Sequence, residues 1–216
     1  MDKAWFQKVF SEERTQKYFE TYPANDKKAI EHYACNIMIS EAFYPALSIF
    51  EVALRNSVNR ELETMFHTQD WYQQIPTTAG LVKLNKDISN AKRQIMMRNE
   101  AITASKVVAE LTLGFWVRLF NTEYERILWK NLRLAFPYLE KRKRQRHTVS
   151  APLNRIRDFR NRVFHNEPVC WNINSLENNH KTIVETLFWL NKDLPDYLNT
   201  TERFHTVLNE VRKILS

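Results

Sequence analysis

The segment Asp158–Val169 gathers the side chains best suited to chemistry on a phosphodiester: Arg160, Asn161 and His165, near the end of an apolar-periodic stretch that Pro168 stops. Arg160 offers a permanent cation whose planar fork of donors matches a phosphate, and His165 is the side-chain type that exchanges protons near neutral pH. Together they point to work on RNA. Spacing alone carries little weight, because Arg142 to His147 and Arg60 to His67 show comparable gaps. Context separates the three. Arg142 belongs to the run Lys141-Arg-Lys-Arg-Gln-Arg-His147, which reads as a basic turn, and His67 lies in a polar segment ending near Gln69. Arg160 instead sits on an otherwise apolar stripe of Val149, Leu153, Ile156 and Val163, whose steps of three and four residues describe one buried or partner-facing helix seam. A desolvated Arg is costly unless paired, so it is tolerated where it meets an anion or lines an interface.

The elements that must position these residues read as helices. With 216 residues and 44% hydrophobic content, the chain is long enough for one sizeable core and short for two. Gly occurs only twice, and Leu, Glu, Lys, Arg and Asn abound, which favours long helices with short connections. The expected fold is all-α, a single-domain bundle. Cys35 and Cys170 lie far apart with no companion at ligand spacing, so buried free thiols are expected, with no metal and no cofactor. The first ten residues carry charges, and no later run approaches the roughly twenty apolar residues of a membrane span, so a cytoplasmic protein is expected. A net charge of +7 and a sequence pI near 9.4 favour a polyanionic partner.

Along the chain, residues 1 to 22 read as an amphipathic opening in which Trp5, Phe6, Val9 and Phe10 cover one face. After Pro23, Asn25 is a plausible N-cap for a helix with Ile30, Tyr33, Ala34, Ile37 and Met38 inward, and Pro45 marks a first turn or a kink. Leu47, Phe50, Leu54, Val58 and Leu62 then make a core helix. Arg55 and Asn56 on it read either as an exposed polar pair or as a buttress or RNA contact, with Glu51 placed to hold Arg55 at i, i+4. Residues 68 to 79 look like a loop closed by Gly80, followed by a helix with Leu81, Leu84, Ile88, Ala91 and Ile95 inward and Lys83, Lys86, Lys92 and Arg93 outward. Phe115, Trp116, Leu119 and Phe120 could stack on bases, but their helical spacing assigns them to the core. The cluster Lys141, Arg142, Lys143, Arg144 and Arg146 is either a solvated loop or a phosphate-binding turn acting through counterion release. Two further helices are predicted from Ile173 to Leu190 and from Phe204 to Leu215.

Arg160-Asn-Arg-Val-Phe-His-Asn-Glu-Pro168 resembles the R-N-x-x-x-H-x-x-P signature of the Abi-like (abortive infection) proteins of bacteria, a branch of the HEPN superfamily of helical, mostly ribonuclease domains. Ser48-Ile-Phe-Glu-Val-Ala-Leu-Arg-Asn56 is similar to that family's first conserved helix, and Leu113-Gly-Phe-Trp-Val-Arg-Leu-Phe120 to its central G-F-W segment. The resemblance spans about Tyr44 to Val169. It implies one HEPN domain over residues 1–216, with an N-terminal helical extension at 1–24, a core at about 25–190 and a C-terminal helix at 191–216. It also implies a homodimer whose composite cleft holds two Arg160 and two His165, with Asn161 orienting the phosphate or the imidazole. Metal-independent cleavage leaving 2′,3′-cyclic phosphate ends would follow, in a toxin-like or anti-phage effector that a neutralising RNA or protein antitoxin could restrain. The alternative is a non-catalytic RNA-binding module that holds a structured RNA on its basic surface.

Overall fold

The computed structural model describes all residues, 1–216, and it is all-α. The helices are α1 (Lys3–Phe10), α2 (Glu12–Thr21), α3 (Asp26–Ala42), α4 (Tyr44–Phe66), α5 (Asn85–Met97), α6 (Ala104–Glu110), α7 (Leu113–Arg118), α8 (Glu125–Leu132), α9 (Arg146–Phe164), α10 (Ile173–Leu190), α11 (Leu194–Asn199) and α12 (Phe204–Leu215). One contiguous hydrophobic core joins α3 through α12, so the chain forms a single domain. α4 is its axis. Leu47, Phe50, Leu54, Val58 and Leu62 are all buried as their spacing predicts, with α10 packed along the same helix and α7 and α10 against α9. Pro45 stands in the first turn of α4, where its missing N–H costs nothing. α10 and α12 begin and end where the apolar pattern places them.

Three segments depart from the sequence-based expectation. The opening is two helices, broken at Ser11, whose φ of 67° turns the chain; Phe6 and Phe10 pack on Tyr33 while Trp5 and Val9 stay exposed. The segment 68 to 79 is not a peripheral loop: short 3-10 turns bury Trp71, Tyr72 and Ile75 against the core, and the Trp71 indole donates to Asn59 Oδ1 at 2.8 Å. On α3 the buried face is Ala29, His32, Cys35, Asn36, Ile39 and Ala42, leaving Ala34 and Ile37 exposed. The apolar residues misidentify that face because two of the inward positions are polar.

Contrary to the expectation that no segment is apolar enough to span a membrane, a window within Asp26–Phe66 reaches a mean hydropathy of 1.5 and passes by length and composition. The chain breaks between α3 and α4 there, and 39% of the window lies inside the fold. Ala42, Phe43, Ala46, Leu47 and Phe50 at the α3–α4 junction are core residues.

Candidate functional site

α9 ends in a geometry its own residues specify. His165 is the C-cap, Asn166 takes the left-handed conformation at φ 55°, and Asn is one of the few residues other than Gly that does so readily. Asn166 N–H donates to Val163 O at 3.1 Å and Glu167 N–H to Arg162 O at 2.8 Å, which closes a Schellman turn before Pro168. The spacing from Arg160 to Pro168 is thus first a helix-ending device.

The loop beyond it is clamped from α2, α3 and α9. Asn36 Oδ1 accepts from Val169 N–H at 2.6 Å and from Cys170 N–H at 3.1 Å, while its Nδ2 donates to Glu167 O at 3.3 Å. His32 Nε2 donates to Cys170 O at 2.8 Å, so its Nδ1 is left to accept from the Tyr22 hydroxyl. Burial pushes the His32 imidazole below its ordinary range, in keeping with a neutral ring. Arg14 reaches Asn166 O at 2.8 Å, and Arg162 reaches Pro168 O at 2.6 Å. Burial also raises the Cys170 thiol to about 12, with the neighbouring Cys35 adding to it, so both buried cysteines stay protonated.

Inside this frame the stripe of Val149, Leu153, Ile156 and Val163 faces the chain's own core. The seam is therefore internal, and it gives no sign of a partner. Arg160 lies at its edge, half-buried. Its Nη2 sits 3.3 Å from Glu51 Oε2 on α4, its Cζ lies 4.2 Å from the centroid of the Phe164 ring, and its Nε is buried with no acceptor. Glu51 thus pairs with Arg160, and no ion pair joins it to Arg55. Phe164 stacks in turn on Tyr44 with centroids 6.2 Å apart, and both rings are largely exposed. α4 runs antiparallel to the end of α9, Tyr44 against Phe164 and Glu51 against Arg160.

Asn161 and His165 are exposed one turn apart on a second face of α9, and the His165 ring makes no hydrogen bond within the chain. Arg160 projects about 100° round the helix from Asn161. One copy therefore sets guanidinium and imidazole on adjoining flanks of Phe164 without joining them.

The basic cluster is elsewhere. Arg146 opens α9, about 21 Å along the axis from Arg160. Its Nε pairs with Glu125 at 2.9 Å and its Nη1 donates to Phe120 O, while Arg144 ties Leu139 O at 2.7 Å, so both arginines hold the connection to the core. Glu140 holds Arg142 and Lys143 at 2.7 Å each, and Lys141 points to solvent unpaired. Arg55 and Asn56 line a separate cavity on α4, one turn beyond Glu51.

Sequence reasoning missed Asn36, His32, Arg14 and Arg162 as the clamp and Glu51 as the Arg160 partner. Two polar residues at core spacing on α3 were the available signal. No family model, curated protein or solved structure matches the chain.

Proposed function

We propose that the chain is an Abi-like protein of the HEPN type, a metal-independent endoribonuclease acting as a toxin-like or anti-phage effector in the cytoplasm. One observation carries the reading: beside an exposed aromatic pair, α9 presents a half-buried guanidinium with an unsatisfied Nε and, on the next flank, an exposed imidazole free of internal hydrogen bonds. RNA cleavage by internal attack needs a base for the 2′-hydroxyl, an acid for the departing 5′-oxygen and a cation for the crowded phosphorus. One imidazole cannot fill both proton roles at once. Two copies related by a two-fold axis near Phe164 and Tyr44 supply two His165 and two Arg160, with Asn161 beside each imidazole to orient it or the phosphate. The exposed Phe164 and Tyr44 rings are apolar surface suited to such a contact.

The test is purified protein on total RNA in excess EDTA, wild type beside His165→Ala and Arg160→Met. Cleavage with 2′,3′-cyclic ends, lost in both variants while RNA binding persists in His165→Ala, supports the enzyme. A strict metal requirement overturns it. The second reading, a binder that does not cut, is favoured by the Glu51 carboxylate already compensating Arg160. Binding without cleavage by any of the three proteins would establish that reading.

A further inference from the structure

Arg55 is the half-buried arginine that the fold leaves without an anionic or carbonyl partner. Arg118, Arg144, Arg146, Arg157 and Arg160, the others buried to a similar degree, each meet a carboxylate or a backbone carbonyl. Arg55 makes a single contact, from Nε to Asn56 Oδ1 at 3.4 Å, and its two Nη groups are unengaged. Neither nearby carboxylate pairs with it: Glu51 faces Arg160, and Glu63, on the same cavity lining, accepts from Asn59 Nδ2 at 2.8 Å and makes no ion pair with Arg55. Withdrawing a guanidinium from water without a partner costs free energy, so an unengaged fork at a cavity wall is poised for an anion.

The cavity it lines has a volume of about 310 Å³. Around the cation stand the amides of Asn56, Asn59 and Gln69, the Ser105 hydroxyl and the Glu63 carboxylate, and its apolar wall is Ala104, Val108 and Ala109 of α6. One anion position, amide donors and acceptors, and a flat aliphatic strip are the features that recognise a phosphate bearing a planar heterocycle. Arg55, on its wall, stands one turn of α4 beyond Glu51, the residue that pairs with Arg160.

We infer that this cavity is a nucleotide subsite: Arg55 takes a phosphate, the amides of Asn56 and Gln69 read or hold the base edge, and the base lies on the Ala104–Val108 wall. The inference rests on the RNA reading above for its first source of ligand, a nucleotide of the bound strand next to the linkage at Arg160. A free nucleotide is the second source of the same chemistry.

The experiment uses the full chain in a His165→Ala background, so that cleavage does not erode the probe, and follows the anisotropy of a fluorescein-labelled oligoadenylate. Arg55→Met weakens binding about tenfold and lowers the log–log salt slope by about one. Ala109→Trp, which fills the cavity and spares the cation, weakens binding without changing the slope. Thermal melts of both variants at the parent value show that the fold is retained. AMP titrated in place of the oligonucleotide separates the sources: saturable AMP binding that both substitutions abolish assigns the site to a free nucleotide, and loss confined to the oligonucleotide assigns it to the strand. Unchanged binding of both probes in both variants, or no binding of either probe by the parent, overturns the subsite. Cleavage by the wild type is scored separately, so a chain that cuts RNA but ignores Arg55→Met loses only this inference, and one that binds through Arg55 but never cuts loses only the nuclease.

Discussion

Glu51→Gln removes the charge that faces Arg160 while keeping the side chain's shape, and on the proposed mechanism it moves stability and RNA affinity in opposite directions. At 3.3 Å, two unit charges in an effective dielectric of about 20 attract by about 5 kcal/mol before desolvation. Both side chains keep about a quarter of their surface in water, 27% for Arg160 and 28% for Glu51, so the pair sits between exposed bridges and fully buried ones. A net contribution of about 1–2 kcal/mol follows. For a chain of this length, thermal unfolding should move down by about 2–4 °C for each kcal/mol lost. The guanidinium, still resting on Phe164, is then free for phosphate, and a gain of about 1 kcal/mol in RNA binding is about fivefold, with a steeper salt dependence. Calorimetry and anisotropy at two salt concentrations measure both quantities. If affinity falls together with stability, Glu51 orients Arg160 toward the phosphate, and the idea of a restrained cation is wrong. An unchanged melting temperature would mean that Phe164 and the surrounding chain hold Arg160 without help from the carboxylate.

Asn36→Leu strands the Val169 and Cys170 amides in a buried setting, and a loss of about 2–4 kcal/mol is expected, with faster amide exchange over residues 166–171 than elsewhere in the core. Asn36→Asp keeps the acceptor and should recover part of that exchange protection. Gly80→Ala should destabilise by about 1–3 kcal/mol in urea titration: the backbone there has φ 85°, and an added Cβ would come within 2.7 Å of Ile127 Cδ1. For His32, burial first, with Lys17 and Lys28 adding to it, lowers the folded pKa below 6.5 against the opposing Cys170 hydrogen bond. Its contribution is therefore complete above about pH 6.5 and is lost as pH falls from there toward the folded value, since the unfolded chain takes up the proton first. Chemical denaturation from pH 7.5 to 5 should show His32→Gln with a shallower acid limb than the wild type, and parallel limbs would refute this.

The helices that one apolar stripe defines were legible from sequence: α4 buries the residues its periodicity nominates, α10 and α12 form over the spans expected of them, and Phe115, Trp116 and Phe120 are core as their spacing says. Where polarity and burial part company, the pattern misleads. His32 and Asn36 are inside because a loop 130 or more residues away presents its backbone to them, a long-range partnership that no local window contains. Trp71, Tyr72 and Ile75 are buried from 3-10 turns, whose period matches neither the helix nor the strand template, so a run rich in Thr and Gln read as loop. The candidate residues at the α9 terminus were legible as types, and so was Pro168 as a stop. The partner of Arg160 was not, because choosing between Arg55 at i, i+4 on α4 and Arg160 across helices depends on where α9 docks.

The internal seam changes what a two-fold assembly would have to use. An apolar stripe carrying Arg160 would have been an interface had it faced outward, and α9 instead spends it on the core, leaving at the surface only the Phe164 and Tyr44 rings around the cation. A composite site built there has consequences for its own design. Each His165 sits on a helix end fixed by the Schellman turn and by the Asn36, Arg14 and Arg162 clamp, so it is positioned by backbone and not by a hydrogen bond to its ring. Such an imidazole keeps both nitrogens for substrate, as a residue serving as base in one protomer and acid in the other requires. Arg160 is the reverse case, held through its side chain by Glu51 and Phe164, and its release is the step at which substrate charge would be sensed. On the proposed mechanism the backbone-anchored His165 and the restrained guanidinium divide the work: the first presents an uncommitted imidazole at a fixed helix end, and the second responds when a phosphate arrives.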